Sequence, residues 1–217
     1  MEVLPLALEL VILAAAVVLH EVGHGVVAYR CGDSTAAEQG RLTLNPLRHV
    51  DLVGTILLPG LLLATAWMTG SHPMLFGWAK PVPVNARRMH QPRRDMALVA
   101  VAGPLVNLTL AALGALVLRI GIGTDGHTGA MIRAGAYAVI GINCALAVLN
   151  LLPILPLDGG RIVASLLPRG LARSYGRLER VGLVVVLLLL TQTSILMTLV
   201  RPVLRSFLQL GTIGMGR

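Results

Sequence analysis

Two histidines and a glutamate stand at a spacing that suits metal-dependent hydrolysis. The sequence reads His20-Glu21-Val22-Gly23-His24. Residues four apart lie on one face of a helix, so both imidazoles can reach one Zn²⁺ at about 2.0–2.1 Å. The pattern predicts His20 and His24 as zinc ligands and Glu21 as the general base that takes a proton from a zinc-bound water. The alternative is that the three side chains pack against neighbouring polar groups without a metal.

A catalytic zinc site needs a third protein ligand and an open position for water. Most remaining carboxylates lie in or beside loops, but Asp158 directly follows an apolar segment and precedes two glycines. Those glycines would allow the backbone to approach the metal closely. We therefore predict Asp158 as the third ligand. The alternative is that Asp158 only caps the short helix after it, because Asp is a favoured N-cap residue.

The composition predicts that these residues work inside a membrane. Of the 217 residues, 55% are hydrophobic and only 13% are charged, and the mean hydropathy is +0.79. A soluble domain of this size needs a more polar exterior. The net charge of +8 comes from short basic stretches between apolar segments, with 3% aromatic residues, which favours loops beside anionic lipid over nucleic-acid binding. Cys31 and Cys144 show neither disulfide nor metal-site spacing.

Four segments are long and apolar enough to cross the hydrocarbon layer, which is about 30 Å thick: 4–28, 96–118, 130–152 and 181–200. No basic region precedes the first, so it is predicted to be a retained span and not a signal peptide. Alternating residues that stop at Asn45-Pro46 predict a short β-hairpin over 40–46. Residues 51–84 are apolar but broken by Gly and Pro, which predicts a helical hairpin or re-entrant element.

These elements predict an all-α polytopic membrane protein with four to six transmembrane helices, a short membrane-associated β-hairpin and a re-entrant element. The whole chain, 1–217, is predicted to be one domain, with a catalytic core over about 4–168 and a C-terminal span over about 181–200. Basic stretches at 30–48, 80–94 and 169–180 place those loops on the cytoplasmic side. The span that carries His20 and the 130–152 span that precedes Asp158 then both run inward, so the predicted ligands can meet nearer the cytoplasmic side.

Further motifs extend the pattern over most of residues 15–165. They are Arg41-Leu-Thr-Leu-Asn-Pro46 with His49 and Asp51, Gly77-Trp-Ala-Lys-Pro-Val-Pro-Val-Asn85, Ala102-Gly-Pro-Leu-Val-Asn107, and Asn150-Leu-Leu-Pro-Ile-Leu-Pro-Leu-Asp-Gly159. With the zinc motif, they make the chain resemble the site-2 protease family of intramembrane zinc metalloproteases, in its small prokaryotic branch without a PDZ domain. The resemblance implies one Zn²⁺ per chain, transmembrane protein substrates and a prokaryotic inner membrane.

The resemblance also implies that Asp158 is the third ligand and that Asn150 stabilises the oxyanion or positions the substrate. The Asn150 amide can donate to a developing negative charge. Its alternative role is to satisfy backbone groups at a broken helix end. For Asn107, inside a predicted span, packing or hydrogen bonding between helices is favoured over catalysis. His49 is the only other histidine worth testing for a site role.

The sequence therefore predicts a zinc metalloendopeptidase that cleaves peptide bonds in or near transmembrane segments. A strand at 40–46 would allow the unwound substrate to pair by β-augmentation. Two alternatives stay open, a metal transporter or sensor and a catalytically inactive relative that binds membrane proteins. The single polar cluster argues against transport, and the intact Glu21 argues against an inactive relative.

Overall fold

The computed structural model describes residues 6–69, 79–191 and 193–213, and within these ranges the chain forms helices and loops without a strand. The α-helices are α1 Leu6–Arg30, α2 Thr35–Glu38, α3 Leu58–Thr69, α4 Pro92–Ile122, α5 Gly126–Leu151, α6 Asp158–Leu166, α7 Arg169–Gly176, α8 Glu179–Thr191 and α9 Thr193–Thr212. A π-helix, Leu52–Leu57, leads into α3, and short 3₁₀ helices span Pro46–His49 and Ala86–Arg88.

Three of these helices are long and apolar enough to cross a membrane. Helices α1, α4 and α5 have 25, 31 and 26 residues and apolar windows of mean hydropathy 2.0, 2.0 and 1.7. At 1.5 Å per residue each exceeds the hydrocarbon thickness of about 30 Å. The predicted all-α fold and the spans at 4–28, 96–118 and 130–152 are confirmed as long apolar helices.

Helix α4 lies at the centre of the bundle and contacts α1, α5, α6 and α9. Small residues permit this close packing. A Cβ at Gly114 would lie 3.0 Å from the side chains of Val139 and Ile140 on α5. Small interface residues are typical where membrane helices approach each other closely, because lipid supplies no hydrophobic force between them. Because α4 is central, its residues contact the histidines of α1.

The segment predicted as the C-terminal span, 181–200, is divided between helices α8 and α9. Residues 179–189 and 194–212 form two helical segments whose axes are bent by 83°. The polar sequence Thr191-Gln192-Thr193 interrupts the apolar run at this place. Counted as one broken span, the bent pair raises the described candidates from three to four. That number reaches only the lower end of the predicted four to six.

The predicted β-hairpin over 40–46 is wrong. Side chains, and not a partner strand, form the hydrogen bonds to the backbone in and beside this segment. Gly40 has a φ of 62°, which turns the chain, and residues 41–45 form a loop. The ring of His49 donates to the carbonyl oxygen of Thr43 over 2.9 Å, and the Arg41 guanidinium donates to the carbonyl of Arg48. Asn45 accepts the N–H of Leu47 and caps the 3₁₀ helix. Local bonds of this kind compete with sheet pairing.

The predicted re-entrant element over 51–84 lies partly outside the described residues. Its first part is helical, and Asp51 caps it by accepting the N–H groups of Val53 and Gly54 at 3.1 and 2.7 Å. Residues 79–85 form a loop without regular structure, and Val82 in this loop bonds to Glu21 in the C-terminal half of α1. The path between these parts, residues 70–78, is not described, so the re-entrant course stays a prediction.

Candidate metal centre

The structure brings His20, His24 and Asp158 together in one buried cluster. The two Nε2 atoms are 3.0 Å apart, and Asp158 Oδ2 lies 3.2 Å from His20 Nε2 and 3.3 Å from His24 Nε2. All three residues are buried, with 7%, 6% and 5% of their surface exposed. Ligand candidates that are 134 positions apart along the sequence thus point their donor atoms at a common point.

Helix α6 begins at Asp158, with Leu157 as its N-cap. Asp158 is therefore the first helical residue, and within the described chain its Oδ2 accepts no hydrogen bond. The capping alternative does not describe this side chain. A Cβ at Gly159 would lie 2.3 Å from the carbonyl oxygens of Leu151 and Leu152, so Gly159 permits close contact between α6 and the end of α5.

Hydrogen bonds decide which nitrogen of each imidazole faces the cluster. His24 Nδ1 lies 2.7 Å from the carbonyl oxygen of Val99. A carbonyl oxygen only accepts, so Nδ1 carries a hydrogen, and in the neutral imidazole Nε2 then presents an electron pair. His20 Nδ1 lies 2.6 Å from Asn107 Oδ1, which likewise accepts. Metal-binding histidines usually donate their second nitrogen in this way.

The donor set and its dimensions fit zinc. Two bare imidazole nitrogens and a carboxylate oxygen repel one another at 3.0–3.3 Å unless a cation lies between them. Ligand atoms arranged tetrahedrally about 2.0 Å from Zn²⁺ are separated by about 3.3 Å. Two nitrogens and one oxygen are also a common ligand set of catalytic zinc, which keeps a further position open.

Helix α4 reaches the cluster because residue 103 has no side chain. A Cβ at Gly103 would lie 2.5 Å from His20 Cε1 and from His24 Nε2. Real carbon atoms do not approach so closely, so a larger residue would displace the imidazoles. The next residue, Pro104, lacks an N–H, so the carbonyl of Ala100 receives no helical hydrogen bond from it. Val99, whose carbonyl bonds to His24, lies one residue before Ala100.

Glu21 lies beside the cluster and is held by a loop. Its Oε2 accepts the backbone N–H of Val82 at 2.8 Å. The loop over 79–85 is fixed at two further points, because Lys80 N–H donates to the carbonyl of His49 at 2.8 Å and Asn85 N–H donates to Asp33 Oδ2 at 2.6 Å. The geometry makes His49 part of the loop framework and places it outside the cluster.

Asp33 is a buried carboxylate three residues after the C-terminal end of α1. Burial acts to raise the pKa of Asp33, but hydrogen bonds from Thr35 and from the Asn85 N–H outweigh burial and set this pKa below its usual value. The charged carboxylate is therefore the form that holds the 79–85 loop.

Asn150 is not brought into hydrogen-bond contact with the cluster in the described structure. Its Nδ2 donates to the carbonyl oxygen of Leu146, one turn earlier in α5, at 3.0 Å. This bond matches the alternative role of Asn150, in which its side chain forms a hydrogen bond to a backbone group near the end of a helix. The amide carries a second N–H, so its role in oxyanion stabilisation stays a prediction.

Sequence reasoning missed Asn143, Gly103 and the Val99 carbonyl. Asn107 does form the expected hydrogen bonds between helices, but it also orients a predicted ligand. A signal was present for Asn143, because an asparagine inside an apolar span needs a hydrogen-bond partner. Nothing in the sequence pairs it with Asn107, since that pairing depends on how α4 and α5 pack.

Comparisons with known proteins agree with this chemistry. The model of peptidase family M50 matches residues 120–191, which include Asp158. A Bacillus subtilis protein named "Putative zinc metalloprotease YwhC" is 40% identical over 180 residues, covering 79% of this chain and 74% of the relative.

Two mycobacterial proteins named "Putative zinc metalloprotease Rip2" also match. The Mycobacterium tuberculosis protein is 36% identical over 143 residues, which are 65% of this chain and 50% of the relative. The Mycolicibacterium smegmatis protein is 33% identical over 175 residues, which are 80% of this chain and 62% of the relative. No solved structure gives a significant match. The extent of the Bacillus match shows that the chain belongs to peptidase family M50, the site-2 protease family.

Proposed function

We propose that this protein is an intramembrane zinc metalloprotease that hydrolyses peptide bonds in or near transmembrane segments of membrane proteins. One observation carries the proposal: three buried donor atoms, of His20, His24 and Asp158, lie 3.0–3.3 Å apart with two of them on a candidate membrane span. Membership of family M50 and the three long apolar helices support a protease embedded in a membrane.

The depth of the centre supports cleavage within the bilayer. His20 and His24 lie ten and six residues before Arg30, the last residue of α1. At 1.5 Å per residue they are about 15 and 9 Å from that end of the helix. Arg30 begins a basic stretch, which by the positive-inside rule faces the cytoplasm. The proposed site is therefore below the cytoplasmic surface, where water must enter through the protein.

His20 Nε2, His24 Nε2 and Asp158 Oδ2 would hold the zinc ion. Bound there, zinc would act as a Lewis acid that polarises the scissile carbonyl and lowers the pKa of coordinated water toward ~7. The chain's contribution is to keep both Nε2 atoms free of hydrogen and to exclude bulk solvent around the donors. The bonds from Nδ1 to Asn107 and Val99 accomplish the first, and burial accomplishes the second.

Glu21 is the proposed general base. It follows His20 directly, so its carboxylate starts from the backbone next to a ligand. The Val82 N–H engages Oε2, and Oε1 is the atom that would receive the proton of the attacking water. Glu21 would then deliver that proton to the amine that leaves. The bond from Val82 limits how the carboxylate rotates and so orients the oxygen that accepts.

The substrate must present an extended peptide to this site. Peptide groups in a membrane helix are bonded to one another, so a transmembrane substrate has to unwind locally before water can attack. Asn150 is proposed to stabilise the oxyanion with the N–H that Leu146 does not use. The loop over 40–46 contains no strand, so we do not propose it as a pairing edge for the substrate.

Zinc analysis and a cleavage assay with the Glu21→Gln variant test the proposal. The parent and variant are purified, their zinc content is measured, and each is reconstituted with a panel of single-span membrane proteins. We expect about one zinc per chain in both and cleavage by the parent alone, with a loss of at least 10²-fold in the variant. Cleavage by the variant at the parent rate, or a parent without zinc, contradicts the proposal. Zinc uptake into liposomes that survives in Glu21→Gln would favour a transporter instead.

A further inference from the structure

We propose that Asn143, on α5, is a positioning residue for the metal centre and acts through Asn107 to determine which nitrogen of His20 is free to bind zinc. The inference rests on the proposed function, because it concerns zinc binding by His20. Asn143 lies one hydrogen bond further from the cluster than Asn107. Its effect on zinc must therefore be transmitted by the orientation of the Asn107 amide.

The orientation of Asn107 matters because a neutral imidazole carries its hydrogen on one nitrogen only. Asn107 Oδ1 faces His20 Nδ1 at 2.6 Å, which keeps the hydrogen on Nδ1 and leaves Nε2 bare. Were the amide turned over, its NH₂ group would face Nδ1. His20 would then accept at Nδ1 and carry its hydrogen on Nε2, the atom that must bind the metal.

Asn143 prevents that reversal. Asn107 Nδ2 donates to Asn143 Oδ1 at 2.9 Å, and Asn143 Nδ2 donates to the carbonyl oxygen of Val139 at 2.9 Å. The Val139 carbonyl can only accept, so it sets the direction of the whole series. If either amide turned over, two donors or two acceptors would face each other.

Burial makes this series the means by which Asn107 is oriented. Asn107 has 0% and Asn143 has 1% of its surface exposed, so bulk water does not compete for their amides. The bonds link α5 to α4 and α4 to α1, and they end on a proposed zinc ligand. Asn150, seven residues later on the same helix, bonds instead to its own backbone at Leu146.

The test measures zinc affinity by competition with a chelator in the full-length protein. We expect Asn143→Leu to bind zinc about tenfold more weakly than the parent, at the low end of the 10–100-fold effect of groups behind metal ligands. Gly141→Ala, also on α5, is the control and should bind zinc as the parent does, because the added Cβ would meet no neighbouring group. Asn143→Thr is a second variant in case the first does not fold. Its hydroxyl can bond to the Val139 carbonyl, as Thr often does in helices, but is too short to reach Asn107.

A double-mutant cycle separates a positioning role from a merely structural one. In an Asn107→Asp background the carboxylate can only accept, so it holds the His20 hydrogen on Nδ1 whatever stands at position 143. Adding Asn143→Leu there should cost no further zinc affinity, although it costs about tenfold in the parent background.

Three results would overturn the inference. They are unchanged zinc affinity in both Asn143 variants, an equal tenfold loss in both backgrounds, and a lower melting temperature of the metal-free protein with zinc affinity intact. The last two would make Asn143 a packing contact between α4 and α5. The proposed protease would survive any of the three, whereas a parent that binds no zinc would overturn both.

Discussion

The Glu21 carboxylate accepts a 2.8 Å hydrogen bond from the backbone N–H of Val82, across 61 positions of sequence. The bond joins the proposed general base to the loop over 79–85. Glutamine keeps an oxygen for this bond, whereas alanine leaves the Val82 N–H without its acceptor. We expect Glu21→Gln to melt as the parent does and Glu21→Ala to be less stable by about 1 kcal/mol. Thermal unfolding in detergent, with both proteins metal-free, measures the difference. Equal melting of the two variants would show that the bond does not stabilise the loop.

Replacing the Asp158 carboxylate by an amide should abolish tight zinc binding. Asp158→Asn keeps the size of the side chain but removes the charge that faces two bare nitrogens. We expect its zinc affinity to fall by more than the 10–100-fold typical of groups behind the ligands. Added zinc should raise the melting temperature of the parent, corresponding to about 2.7 kcal/mol at a hundred times Kd, and should have little effect on the variant.

The exposed Asp125, in the loop before α5, provides the control for that experiment. Asp125→Asn removes a carboxylate of the same type far along the chain from the histidines. It should retain one zinc per chain and the full thermal response to added metal. A similar loss of zinc in both variants would point to a general effect of net charge and against Asp158 as a ligand.

Gly103→Ala should damage the metal centre while leaving α4 helical. The added Cβ would lie 2.5 Å from His20 Cε1 and His24 Nε2, so the imidazoles or the helix must move. Overpacking of this kind costs about 1–3 kcal/mol. We expect loss of zinc binding and cleavage together, measured by metal analysis and the substrate assay.

Gly141→Ala is the matched control for Gly103→Ala. A Cβ at Gly141, inside α5, would meet no other atom within 4 Å. Alanine there should stabilise the helix by about 0.5–1 kcal/mol and leave zinc binding unchanged. If Gly103→Ala also bound zinc normally, zinc binding would not require the close approach of α4 to the imidazoles.

Acid should loosen the 79–85 loop through Asp33. The pKa of Asp33 is lower in the folded protein than its usual value, so its contribution to stability is fully present above the unfolded pKa, near 3.9. That contribution is lost as the pH falls through the folded pKa. Asp33→Asn should lose about 1.5–3 kcal/mol at neutral pH and show a flatter fall in melting temperature toward pH 3 than the parent. Parallel melting curves for the two proteins would exclude Asp33 as the acid-sensitive group.

Predictions that depend on a continuous local pattern agree with the structure. Helices α1, α4 and α5 lie where continuous apolar sequence predicted them, because hydrocarbon requires every backbone group to be bonded within the helix. The 40–46 hairpin failed, because alternation alone does not supply a partner strand. The His49 ring bonds to the carbonyl of Thr43 within that segment, and the Arg41 side chain bonds to the carbonyl of Arg48 just after it. The sequence also does not predict the 83° bend between segments 179–189 and 194–212, since a few polar residues in a long apolar run are compatible with a continuous span.

The sequence by itself determined that two imidazoles and a neighbouring carboxylate stand on one turn of a membrane helix, because helical periodicity is a local property. It also singled out Asp158, though by its place after a span and not by any contact. Only the tertiary structure decided that Asp158 Oδ2 meets both Nε2 atoms. The packing of α4 against α1 likewise decided that Asn107 and Val99, 87 and 75 positions away, hold the Nδ1 atoms. Those bonds depend on how three helices pack, and no short-range pattern in the chain encodes that packing.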